Sequence, residues 1–160
     1  MIELTDWLRR ELARRADQEA PQEACGLISR AKPARGLPEG GIALWAAENA
    51  SSDPEHHFAI DPDTLLGITK QIEARGETLV GVYHSHPGGV AAPSPEDVET
   101  AAQWPGLTWI IVGRGPCERC GGSGEVDATS GDEYTGAPCP DCEGSDPPGS
   151  APVFWNGVLA

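Results

Sequence analysis

Apolar residues near the amino end fall at Leu4, Trp7, Leu8 and Leu12, a spacing that returns to one side of a 3.6-residue spiral. It predicts an amphipathic helix over 5–19, ended before Pro21, whose ring and missing N–H forbid continuation. Arg9, Arg10, Arg14 and Arg15 lie off that stripe and read as its solvated face. The pattern then shifts to short apolar runs at 24–30 and 42–46, with Pro33, Gly36, Pro38 and Gly40 between them, which reads as two strands and a turn. A polar loop over 51–55 precedes Asp61 and Asp63, either of which can cap a second helix whose buried stripe is Leu65, Ile68 and Ile72 and whose end is Gly76. Residues 79–83 form an unbroken apolar run, expected to be the central strand, and the β-branched and aromatic run at 107–112 should pair beside it.

Composition divides the chain. Its 160 residues suffice for one domain with a real core. From Gly115 to Ser150 it turns rich in Gly, Pro, Ser and acid, with too few large apolar groups to bury a core. That stretch carries eight acids against the single Arg119, a net of -7 and half of the formal -14 of the whole chain. Apolar patterning returns with Val153, Phe154 and Trp155, expected to form an edge strand. The organisation read from this is a core at 1–114, an insert at 115–150 and a closing strand at 151–160.

The negative charge argues against nonspecific binding to nucleic acid or anionic membranes and suits an electropositive partner surface. No apolar stretch is long enough to cross a bilayer, and Met1 to Arg10 lacks a secretory apolar region, so the expected location is the cytoplasm. Five cysteines, an odd number, fit reduced thiols and metal binding there.

Candidate chemistry gathers in two places. The run ending at Tyr83 delivers His84 and His86, two residues apart and so on one face of a strand, before Pro87 stops the ladder. Two imidazoles on one face can grip one metal ion. Ser94-Pro95-Glu96-Asp97 then has the grammar of a helix start, with Ser94 as N-cap, Pro95 at the first position and Asp97 closing a capping box. Capping alone accounts for Ser94 and Asp97; a third metal ligand at Asp97 is the alternative. His56 and His57 lie outside this block, either at the rim of a site or as ordinary surface histidines. Cys25 reads as a small buried strand residue.

The second place is the insert. Cys117-x-x-Cys120 and Cys139-x-x-Cys142 stand eighteen residues apart, the spacing of a four-thiolate zinc site, and such a metal can supply most of the folding free energy of so apolar-poor a segment. The glycines after each pair resemble the repeats of DnaJ-type zinc fingers, with Asp146 in place of the last one. Pro138-Cys139-Pro140-Asp141-Cys142 also matches half of the zinc deaminase signature, but no histidine is followed two residues later by glutamate, which excludes that chemistry.

The block His84-Ser85-His86-Pro87, spacer, Ser94-x-x-Asp97 resembles the signature of the JAMM (MPN+) metalloproteases of prokaryotic type. Pro21 to Ile28 resembles that family's glutamate-bearing segment, and Asn49-Ala50-Ser51 and Phe58-Ala59-Ile60-Asp61-Pro62 are also similar to it. The resemblance implies an α/β fold, a mixed β-sheet flanked by helices in the layered arrangement shared with cytidine deaminases, carrying the zinc-bound insert. It implies a catalytic zinc on His84, His86 and Asp97, beside the structural zinc on the four cysteines. Glu23, otherwise one of 25 carboxylates, becomes the general base, and Ser94 the donor to the oxyanion. The implied activity is cleavage of a peptide or isopeptide bond after the C-terminal glycines of a ubiquitin-like or sulfur-carrier protein. A noncatalytic MPN-type scaffold that binds protein partners is the rival, opposed by the intact set of ligands and glutamate.

Overall fold

The first helix, α1 (Asp6–Glu19), is capped by Thr5, whose hydroxyl accepts the Leu8 N–H at 3.3 Å. The chain is described by a computed structural model over residues 1–33, 41–127, 136–142 and 149–159, so the turn expected around Gly36, Pro38 and Gly40 lies outside the described residues. Leu8 and Leu12 are fully buried, and Leu4 packs beside them, but Trp7 is half-exposed. Positions 8 and 12 form one line of the helix, Leu4 packs in from ahead of the cap, and Trp7 stands on the flank. The arginines are less uniformly solvated than the sequence suggests. Arg14 and Arg15 both bind Glu11, Arg15 also reaches the Tyr83 hydroxyl at 3.3 Å, and Arg9 stacks over Phe154.

After α1 come β1 (Cys25–Arg30), β2 (Ile42–Ala47), α2 (Pro62–Ala74), β3 (Thr78–Ser85), α3 (Pro95–Ala101) and β4 (Thr108–Pro116). Two short strands, β5 (Glu125–Asp127) and β6 (Gly136–Pro138), make a separate ribbon before β7 (Ser150–Val158). The main sheet runs β2-β1-β3-β4-β7, with β3 at its centre. Only the β3–β4 pair is parallel, which makes the sheet mixed and the fold α/β. That pair needs a crossover, and the stretch holding α3 supplies it.

Side chains alternate across the sheet. Ile28, Tyr83 and Ile110 face α1 with Leu8 and Leu12, while their neighbours Leu27, Val82 and Trp109 face Ile68 and Ile72 of α2 and Ala101 of α3. Complete burial of each leucine or isoleucine is worth roughly 1.5–3 kcal/mol, so the two layers clamp β3 from both sides. Of the capping alternatives for α2, Asp61 does the work, accepting the Asp63 and Thr64 N–H groups at 3.1 Å. Among the described residues no helix is long and apolar enough to cross a membrane.

Candidate metal centre

β3 carries His84 on its alternation, and the chain leaves the strand at His86, whose N–H donates to the Val112 carbonyl at 2.7 Å. The two rings turn toward each other, with Nε2 atoms 3.1 Å apart. Their surroundings differ. His84 is completely buried, stacked on Phe58 at 4.5 Å and edge-on to Trp109 at 6.0 Å. Its Nδ1 has no partner among the described residues, so packing sets the ring plane. His86 is half-buried, and its Nδ1 lies 3.0 Å from the Val90 carbonyl, which fixes that ring hydrogen and leaves the Nε2 lone pair facing inward.

Gly113 makes this second arrangement possible. A Cβ there would stand 2.3 Å from Ala91 N and 2.6 Å from the Val90 carbonyl carbon, so only glycine lets the loop lie against β4. The Arg114 N–H then holds the Gly89 carbonyl at 2.9 Å.

Asp97 arrives from the first turn of α3. Ser94 Oγ accepts the Asp97 N–H at 3.1 Å and Asp97 Oδ2 accepts the Ser94 N–H at 2.7 Å, a complete capping box. The same carboxylate sets Oδ1 at 3.1 Å from His84 Nε2 and Oδ2 at 3.5 Å from His86 Nε2. The two readings of Asp97 are therefore compatible in one side chain.

Glu23 precedes β1, is only 5% exposed, and brings a carboxylate oxygen within 4.8 Å of the ligand nitrogens of both histidines. Burial, helped by the Asp97 charge and opposed by His86, pushes its carboxyl up to about 7. Burial would raise Asp97 too, but the two imidazoles outweigh it and hold that carboxyl well below the usual carboxylate range. Burial pushes His84 down, favouring neutral imidazole, whereas the Asp97 carboxylate raises His86.

Two inward imidazole nitrogens and a carboxylate crowd one point with too few hydrogens to satisfy all three. A cation there would satisfy them together, and two nitrogens with one carboxylate oxygen are a donor set that suits zinc and leaves a fourth position open. The residues fit the metal.

A cleft of about 1040 Å³ opens over this point, lined among others by Glu23, Phe58, His86, Ser94 and Asp97. His56 and His57 stand at its mouth. His56 hydrogen-bonds Asp53 at 2.9 Å, and His57 contacts Glu96 of α3. A second cavity of about 560 Å³ shares Ala20, His86 and Pro87 with the first and reaches Asp141 and Cys142. Phe58 and Trp109, which wall His84, were not marked as site residues by the sequence. Trp109 reaches the site through the parallel β3–β4 pairing, which has no local signal.

In the insert the four cysteine sulfurs lie within 4.8 Å of one another. The Cys117–Cys139 and Cys120–Cys142 separations are 3.8 and 3.7 Å. These are too long for a disulfide, at about 2.05 Å. A tetrahedron with zinc–sulfur bonds of about 2.3 Å has edges of about 3.8 Å, so the cysteines also fit a zinc ion. Cys25 stays apart, buried in β1, its thiol pushed up to about 12 by burial and the nearby Glu23 and Glu19 charges.

A search of known proteins returns relatives of one kind. A desampylase of Haloferax volcanii is 31% identical over 118 residues, 72% of this chain and 76% of that protein. A probable TtuB-protein conjugate cleaving protease of Thermus thermophilus is 36% identical over 95 residues; the match spans 53% of this chain and 63% of that protein. A Desulfitobacterium hafniense protein solved in solution is 33% identical and superposes with a TM-score of 0.58, covering 71% of this chain and 75% of that one. The model of the Prok-JAB family, described as prokaryotic homologs of the JAB domain, matches residues 6–121. On that match, which spans well over half of its length, the chain belongs to the Prok-JAB family.

Proposed function

We propose that this chain is a zinc-dependent peptidase that hydrolyses a peptide or isopeptide bond after the C-terminal glycines of a ubiquitin-like or sulfur-carrier protein. The observation that carries the reading is the convergence of His84, His86 and Asp97 at 3.1–3.5 Å with the buried Glu23 carboxylate alongside. Relatives named for desampylation and for cleavage of TtuB-protein conjugates support the substrate class.

In this reading His84, His86 and Asp97 hold the zinc, and Cys117, Cys120, Cys139 and Cys142 hold a second, structural one. A zinc ion held there by His84, His86 and Asp97 would supply a lowered water pKa, from about 15.7 to about 7, and a polarised carbonyl oxygen. Glu23 is the proton carrier. Buried beside the histidine pair, its carboxylate accepts a proton from water and returns it to the leaving amine. Ser94 spends an oxygen lone pair on the Asp97 N–H, which leaves its hydroxyl hydrogen to donate to the oxyanion. Phe58 and Trp109 exclude water behind His84 and fix its plane.

Glu23→Gln tests the assignment. It should retain zinc at the histidine site and lose hydrolysis of a ubiquitin-like carrier fusion by about a hundredfold or more. Normal turnover by this variant removes Glu23 from the chemistry.

A further inference from the structure

Residues 48–60 contain neither helix nor strand, yet they carry Phe58, which seats His84, and His57, which meets α3 across the cleft mouth. A segment of this kind needs its backbone groups satisfied some other way. One side chain does much of it. Asn49 Nδ2 donates to the carbonyls of Glu23 at 3.1 Å, Pro54 at 3.2 Å and His57 at 2.9 Å. Asn49 Oδ1 accepts the N–H groups of Ser51 at 3.0 Å and Ala59 at 3.2 Å. A primary amide offers two hydrogens and two lone pairs, so its capacity is fully used, with one hydrogen shared between carbonyls.

These bonds have two ends that matter. Four of them, with the Ala50 N–H to the Ala59 carbonyl at 2.8 Å, close the loop on itself. The fifth reaches outside it to Glu23. Glu23 lies between α1 and β1, where no regular ladder holds it. Its N–H donates to the Pro54 carbonyl at 2.7 Å and its C=O accepts from Asn49, so both of its peptide groups depend on the loop that Asn49 shapes. Its neighbours are tied elsewhere, Gln22 N–H to the Glu19 carbonyl at 2.9 Å and Ala24 N–H to Ser85 Oγ at 2.8 Å.

We infer that Asn49 is the positioning residue of this site, a single amide that sets the Glu23 carboxylate against the histidine pair and holds the loop that seats Phe58 on His84. It touches neither the histidines nor the reacting atoms; it acts through Glu23 and the loop. Its kinetic consequence rests on the peptidase reading above, and its geometric content does not.

Asn49→Asp is the sharpest variant. It keeps size and both accepted bonds and turns the three donated bonds into oxygen–oxygen contacts; Asn49→Ala removes all five. On a carrier fusion, with zinc content measured in parallel, kcat should fall about 10- to 100-fold, the cost of a misplacement near 1 Å. KM and zinc at the histidine site should stay within about threefold of wild type. In a Glu23→Gln background Asn49→Asp, which keeps both accepted loop bonds, should lower the residual rate by much less than in wild type, because the group whose carbonyl it holds is gone. Full kcat in Asn49→Asp, a loss confined to KM, or an equal loss on the Glu23→Gln background overturns the proposal. Hydrogen exchange of the Asn49 side-chain amide in the wild-type protein tests the geometry without a variant. Slow exchange is expected, and exchange at the free-amide rate overturns it even if the protein hydrolyses nothing or the variants fail to fold.

Discussion

Glu23 is buried at 5% exposure with its carboxyl raised to about 7, and this has a cost that can be measured without any substrate. The native state binds that proton more tightly than the unfolded chain, whose glutamate titrates near 4.3. Native stability from this group is therefore full below that value and is lost as pH rises toward 7. In protein freed of zinc by chelator, Glu23→Gln should match wild type near pH 4 and exceed it near pH 8, by up to about 4 kcal/mol at about 1.36 kcal/mol per pKa unit. Urea unfolding at the two pH values checks this, and a constant gap would contradict it. Gly113 acts through space alone. Gly113→Ala drives a Cβ into the Val90–Ala91 backbone, displacing the carbonyl that holds His86 Nδ1. Zinc affinity at the histidine site should fall about 10- to 100-fold, as for other lost partners of metal-binding histidines, read by chelator competition. At this scale strand parity put His84 and His86 on one face and the capping grammar put Asp97 at a helix start, while the proposed ligand role of Asp97 came through resemblance. Glu23 was legible only through resemblance, and Asn49 not by function at all, because its partners stand up to 26 residues away.

The short helix α3 is held by its first turn, so one residue answers for both its stability and its place in the site. Ser94→Ala should remove about 1 kcal/mol of capping and, in the proposed chemistry, about 10²–10³ in kcat from the lost oxyanion donor. Ser94→Asp separates the two effects. Aspartate caps as well as serine but donates nothing, so the melting temperature should return toward wild type while turnover stays low. Recovery of both would leave the hydroxyl no role beyond the cap. Elements were legible where their signals are local: the N-cap Ser94, the cap of α2 at Asp61 or Asp63, the stripe of Ile68 and Ile72, and the apolar run of β3 all came from neighbours in sequence, whereas Thr5, read as the first helical residue, is the cap of α1. Trp7 was misjudged because periodicity gives an angle around the helix axis and not the width of what it packs on. His56 and His57 reached the cleft mouth through the folding of residues 48–60, which no period announces.

Across the whole molecule, the cysteine cluster and the histidine cluster are built by opposite means. The histidines are placed by a sheet with helices on both faces, the cysteines by two short C-x-x-C turns, the first of which follows β4 directly. The four cysteines were legible because thiolate spacing is a local code. The order β2-β1-β3-β4-β7 was legible in part: the run at 107–112 was expected beside the central strand and the last strand at an edge, while the places of β1 and β2 had no local signal. One rung of that sheet has a further meaning. Pro116 and Ser150 face each other at the end of the β4–β7 ladder, and the Cys117 N–H still reaches the Gly149 carbonyl at 2.7 Å. The chain thus departs and comes back through adjacent doorways, so in the proposed reading the cysteine-bearing insert would be a removable cassette mounted on what is topologically a hairpin. Replacing residues 117–149 by an Asn-Gly turn should give a monomer-sized product that still folds and binds one zinc per chain in place of two. A product that unfolds, or that still carries two, would mean that the cassette and its mount are a single piece.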